Sequence, residues 1–147
     1  GGVKMISCTE FIYSYSELFK FIEKKGGKDA IRTYWEHISD NYVKERLGAC
    51  VEKDGIEGCY NYWAKSLSEE AADFRMTLDG DTFTIEMFHC PSKGRLLDCK
   101  RITPYPDYCK HCDLLYRRVV EPLGLDYDYD MSEVDHARCK LTITKRK

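Results

Sequence analysis

The chain has 147 residues, 43% of them hydrophobic and 13% aromatic, a composition that predicts one globular domain over 1–147 and excludes wholesale disorder. The net charge of −2 mixes both signs along the chain, so no basic stripe favours a nucleic-acid partner. No apolar run approaches the ~18 residues that suggest a membrane span, and no secretion signal is recognisable, which together predict a cytoplasmic protein. Gly1 and Gly2 resemble a cloning remnant and are left out of the fold prediction.

Cysteine is abundant for a chain of this length. In a small secreted protein an even number of cysteines would suggest disulfides, but this chain is larger than such scaffolds and has long helical segments. In a reducing compartment the same residues are metal ligands, reactive thiols or small core residues. The eight are Cys8, Cys50, Cys59, Cys90, Cys99, Cys109, Cys112 and Cys139.

The first half of the chain predicts three amphipathic helices. Apolar residues recur at helical spacing, and the stripes are typical of a buried core face. Gly26-Gly27 ends the first helix, the second runs to about Ala49, and the third begins at Ile56 after the break at Gly55.

From Asp73 the apolar period changes from helical to two, which predicts β-strands. Asp79-Gly80 between two alternating runs is typical of a two-residue hairpin turn. The register that places the apolar residues on one face pairs Leu78 with Asp81, Met76 with Phe83 and Phe74 with Ile85.

Pro91 ends the second strand, and the segment from Pro91 to Pro106 is predicted as a long loop. Asp107 is the predicted N-cap of a fourth helix that ends at Pro122 and Gly124. Two alternating runs follow, one starting at Leu125 and one at Cys139, and they predict a second hairpin. The predicted fold class is therefore α+β: three N-terminal helices, a β-hairpin, a helix and a β-hairpin, giving an antiparallel sheet of about four strands with helices on one face.

Four of the cysteines fall where predicted helices and strands begin or end. Such positions often present their side chains to a common cleft. Their thiolates are the ligands of a tetrahedral zinc site, and the C-x-x-C spacing of two of them is the more specific part of the pattern. An iron–sulfur cluster ranks below zinc because its close three-cysteine signature is missing. Cys112 and Cys139 also lie at inward positions, so each has the alternative of being an ordinary core residue. The predicted metal ligands are Cys90, Cys109, Cys112 and Cys139.

His89 follows the inward parity of its strand and adjoins Cys90, which makes it the predicted general base or ligand. His111 and His136 each lie near a cysteine in sequence and rank second.

The run Cys90-Pro91, the pair Cys112-Asp113 near a helix start, and a last strand entered through Cys139 carry a resemblance. The C-terminal part of the chain resembles the L-2-amino-thiazoline-4-carboxylic acid hydrolase-like family, which is similar to small-molecule-binding domains of the 4-vinyl reductase type. The resemblance implies an α+β fold, a cysteine-lined pocket and hydrolysis of a small cyclic C–N bond. It selects Cys90, Cys112, Asp113 and Cys139, with Asp113 joining His89 as a predicted catalytic residue.

Three functions follow as hypotheses. The first is a metal- or thiol-dependent hydrolase of a small molecule, in which His89 or Asp113 moves protons. The second is a non-catalytic ligand sensor with a structural zinc. The third is a dithiol redox protein that uses Cys109 and Cys112. The predicted partner is a small-molecule ligand or substrate, and a homodimer is one of the states that the sequence allows.

Overall fold

The structure, a computed structural model, describes residues 8–147, so the interpretation of Gly1 and Gly2 lies outside the described residues. Helix α1 spans Thr9–Ile38, and Gly27 inside it has a positive φ of 76°. The predicted break at Gly26-Gly27 is therefore confirmed as a kink, because only glycine adopts this backbone conformation at no steric cost.

The second predicted helix is longer than the sequence suggested. The chain continues from α1 through a π-helix, Ser39–Gly48, into α2, Ala49–Asp54. The end is not at Ala49 but at Gly55, whose φ of 60° stops the helix. Helix α3 then spans Ile56–Glu69 and begins where the pattern predicted.

The α+β class is confirmed. Four strands, β1 (Asp73–Asp79), β2 (Thr82–His89), β3 (Leu125–Asp130) and β4 (Cys139–Lys145), form one antiparallel sheet in the order β1-β2-β4-β3. The last strand, β4, therefore lies inside the sheet and is hydrogen-bonded to β2 on one side and to β3 on the other. Helices pack on the apolar face of this sheet.

The predicted register of the first hairpin is wrong by two residues. Leu78 pairs with Phe83 and Met76 with Ile85. The turn residues are Gly80-Asp81 rather than Asp79-Gly80, because Gly80 supplies the positive φ of 57° at the first central position of the turn. A shift of two preserves side-chain parity, so the apolar residues still share a face.

The predicted loop after β2 is also wrong in its first half. Residues Pro91–Asp98 form helix α4, with Cys90 as N-cap and proline at the first helical position, where its missing N–H costs no hydrogen bond. Helix α5 spans Lys110–Val120, so Asp107 is not its N-cap. The Asp107 carboxylate pairs instead with Lys28, at 2.9 Å, and with Lys110, at 3.1 Å.

Among the described residues there are also two short 3-10 helices, Glu121–Leu123 before β3 and Val134–His136 between β3 and β4. The core has two parts. The larger lies between the sheet and the helices packed on it, and the smaller is an aromatic cluster of α1, α4 and the segment before α5. No helix among residues 8–147 is long and apolar enough to cross a membrane.

Candidate functional site

The four predicted cysteines meet at the junction of α4, α5 and β4. Cys90 and Cys109 are the residues that precede α4 and α5, Cys112 lies in the first turn of α5, and Cys139 opens β4. The four side chains line one narrow crevice.

Specific contacts bring these element ends together. The backbone N–H of Cys90 donates to the carbonyl of Ala137 at 2.7 Å, which ties the start of α4 to the approach to β4. The hydroxyls of Ser92 and Tyr108 are 2.5 Å apart and join α4 to the segment before α5. The convergence therefore comes from contacts between residues far apart in the chain.

A larger cavity of about 210 Å³ adjoins the crevice, and Cys90, Cys112 and Cys139 line both. Its size suits a small molecule rather than a polymer chain. Glu70 reaches its edge, where partial desolvation of the carboxyl raises the pKa of that group. Most of the remaining wall is aromatic or apolar: Trp63, Leu67, Ile85, Met87, Pro91, Tyr116, Tyr127, Tyr129 and Leu141.

These cysteines do not present the geometry of a metal centre. Among residues 8–147, no group of three or more His, Cys, Asp or Glu side chains is arranged to hold a metal ion. Burial raises the pKa of Cys139 to about 11 and that of Cys109 to about 12, so without a metal both are protonated thiols at neutral pH. Zinc and an iron–sulfur cluster stay predictions.

Cys112 and His111 form a thiol–imidazole pair in the cavity wall. The Cys112 Sγ lies 3.5 Å from the His111 Nε2, and the His111 Nδ1 is hydrogen-bonded to the backbone carbonyl of Tyr108. A carbonyl oxygen can only accept, so Nδ1 donates and carries the ring proton. In the neutral ring Nε2 is therefore a free acceptor, and it faces the thiol.

The protein holds His111 in this neutral form. Its side chain is buried among the rings of Tyr15, Phe19 and Tyr108, with centroid distances of 5.3, 5.3 and 4.7 Å. Burial lowers the pKa of His111 to about 4, and the bond to the Tyr108 carbonyl opposes this only in part. Burial also raises the pKa of Cys112 well above its ordinary range. At neutral pH the pair is a thiol and an imidazole.

The other predicted site residues lie elsewhere. His89 is exposed, and its ring packs against Gly94 rather than lining the cavity. Asp113 is bound to Arg117 through two hydrogen bonds, of 2.7 and 3.1 Å, and His136 is exposed. Neither of them contributes to the cavity wall.

Sequence reasoning ranked His111 second, although a signal was present. His111 shares a helical stripe with Tyr108 and Leu115, at spacings of three and four residues, and all three are buried. Cys59 is buried in the larger core, and Cys8, Cys50 and Cys99 are half-buried outside both cavities.

Comparison of the chain with models of protein families, with curated proteins and with solved structures gives no match.

Proposed function

We propose that the protein is a thiol-dependent enzyme that acts on a small molecule in the 210 Å³ cavity, with Cys112 as nucleophile and His111 as its base. The observation that carries the proposal is the 3.5 Å contact between Cys112 Sγ and His111 Nε2 at the cavity wall. A nucleophile, an adjacent base and a third group that orients the base form the arrangement that activates thiols and hydroxyls in enzymes. Here the Tyr108 carbonyl is the orienting group.

The reaction best suited to this pair is hydrolysis of an acyl or amidine-like C–N bond. The sulfur attacks the electrophilic carbon while its proton moves to His111 Nε2, and the imidazolium then protonates the leaving nitrogen. Water attacks the resulting thioester, or the thioimidate where the bond was amidine-like, with His111 again taking a proton that then returns to the leaving sulfur, and the thiol is regenerated. The implied hydrolysis of a small cyclic C–N bond, which rests on the sequence resemblance alone, is of this type.

The pair is neutral at rest. Since burial disfavours both the thiolate and the imidazolium, the proton is transferred as the C–S bond forms and not beforehand. His111 is unprotonated throughout the physiological range, because its pKa of about 4 lies well below it, so its Nε2 is open to the thiol proton.

A second candidate function is ligand binding without catalysis. Three tyrosines, Tyr116, Tyr127 and Tyr129, and Trp63 line the cavity, and such walls bind flat or apolar molecules. The zinc-stabilised sensor and the redox pair Cys109/Cys112 have weaker support, because neither uses the contact between Cys112 and His111.

Acyl transfer from p-nitrophenyl acetate separates catalysis from binding alone. The thiol sulfur attacks the ester carbonyl, p-nitrophenolate leaves, and an acetyl group stays on sulfur. We expect the acetyl group on the Cys112 peptide by mass spectrometry, loss of the fast phase in Cys112→Ser, and no loss in Cys99→Ser, which removes a thiol outside the cavity. Equal rates in the wild type and Cys112→Ser would contradict the enzyme proposal.

A further inference from the structure

Lys93 is a largely buried lysine at the crevice. It lies in α4, only 6% of its surface is exposed, and it lines the crevice together with Cys109 and Cys112. Within residues 8–147, no carboxylate lies at ion-pair distance from its ammonium group and no acceptor is hydrogen-bonded to it. The apolar stem of the side chain is buried, while its nitrogen is not among the fully enclosed polar atoms, so the ammonium reaches the crevice and is free to bind an anion there.

The charge around Lys93 favours a negative group. The first turn of α4 contributes little to it, because Pro91 has no N–H, the N–H of Lys93 donates to the Cys90 Sγ at 3.4 Å and that of Gly94 donates to the Cys90 carbonyl at 2.8 Å. Arg138, an exposed residue, adds a second cation at the rim of the crevice.

We propose that Lys93, with Arg138 at the rim of the crevice, forms an anion-binding subsite beside Cys112, which holds a negatively charged oxygen of the molecule bound in the cavity. The inference rests on the proposed function, because it takes Cys112 as the reacting atom. A charged oxygen has two sources there. One is a permanent anionic group of the substrate, and the other is the oxyanion that develops on a carbonyl when the thiol attacks it.

The first experimental arm uses alkylating reagents of equal size and different charge. Iodoacetate and iodoacetamide both transfer a carbon to sulfur with loss of iodide, and peptide mapping reads the rate at Cys112. A buried cation accelerates the anionic reagent, so we expect Lys93→Met to lower the ratio of the iodoacetate rate to the iodoacetamide rate about tenfold. Lys110→Met, which removes an exposed lysine at the start of α5, is the matched control and should leave the ratio unchanged.

The second arm uses p-nitrophenyl acetate, which is uncharged and acquires negative oxygen only during attack. A slower acetylation of Cys112 in Lys93→Met, with an unchanged reagent ratio, identifies the oxyanion as the bound group. A changed ratio with unchanged acetylation identifies a permanent anion of the substrate. Methionine keeps the apolar length of lysine, and circular dichroism checks that the variant is folded.

Failure of the proposed function and failure of the anion subsite give different results. If Cys112 of the wild type reacts with none of the three reagents, the proposed function fails. If Cys112 reacts but both readouts are the same in the wild type, Lys93→Met and Lys110→Met, the proposed function stands and the anion subsite is overturned.

Discussion

Cys112 and His111 are neighbours in sequence that also meet through their side chains, with Sγ 3.5 Å from Nε2. Adjacent residues in a helix normally point in different directions. Here the ring is fixed from its other side, because Nδ1 is bonded to the Tyr108 carbonyl and three aromatic rings surround it. The start of α5 therefore orients the base, and the packing of α1 against it keeps the base dry and neutral.

The base role of His111 predicts a specific loss of reactivity. Glutamine at this position keeps a hydrogen-bonding side chain but cannot take a proton from sulfur. We expect His111→Gln to slow acetylation of Cys112 by p-nitrophenyl acetate about 10²-fold, the lower end of what general-base catalysis contributes. Stopped-flow release of p-nitrophenolate measures the rate.

The matched control is His89→Gln, because His89 is exposed and outside the cavity wall. Its rate should equal that of the wild type. If His89→Gln were the slow variant, the base predicted from the sequence would be the correct one and His111 would be a packing residue.

The burial of His111 also predicts how stability depends on pH. Its pKa falls from 6.5 to about 4 on folding, so the unfolded chain binds the proton first as pH falls. The neutral His111 therefore contributes about 3 kcal/mol to the free energy of unfolding relative to low pH. This contribution is fully present above pH 6.5 and is lost as pH falls towards 4. Urea unfolding at pH values between 7 and 4 measures the slope. His111→Phe, which cannot titrate, should lose less stability across this window, and equal losses would contradict the shift.

Much of the fold was predictable because its signals are local. Period-two alternation located the strands, and the inward parity of Cys139 follows from it. Helix α4 was missed because Pro91 and Gly94 are typical of loops. Proline suits the first helical position, however, and Gly94 is small where a Cβ would lie 2.4 Å from the His89 ring. Both reasons are visible only in three dimensions.

Only part of the site was predictable from the sequence, because only part of it depends on local signals. Element ends indicated the four cysteines, but the burial of His111 depends on Tyr15 and Phe19, which come from the other end of the chain. The burial of Lys93 has no sequence signal, because it depends on how the start of α5 packs against α4. Long-range packing decides which polar residues enter a cavity.

Two glycines predict losses of different size on addition of a methyl group. A Cβ at Gly58 would lie 2.1 Å from the backbone oxygen of Cys50, so α2 and α3 would have to separate. We expect Gly58→Ala to lower the free energy of unfolding by about 3 kcal/mol, as overpacking of a backbone contact does. Chemical denaturation measures the loss.

Gly94→Ala is the comparison for that variant. Its Cβ would meet the end of the exposed His89 side chain, which can rotate away. The loss should therefore be under about 1 kcal/mol, because rotation of a side chain relieves the overlap without a movement of backbone. Equal losses at the two positions would mean that α2 and α3 are not packed backbone to backbone.

Metal removal tests the zinc prediction against the free-thiol site. If Cys112 is a nucleophile, it is not a zinc ligand in the active protein, so treatment with a chelator should leave both its acetylation rate and the free energy of unfolding unchanged. Elemental analysis before treatment, with thiol counting under native conditions, completes the experiment. One zinc per chain with four protected thiols, lost together with stability on chelation, would establish the Cys90, Cys109, Cys112 and Cys139 centre. That result would also contradict the thiol mechanism, because a thiolate bound to zinc is no longer the free Cys112 thiol whose proton passes to His111.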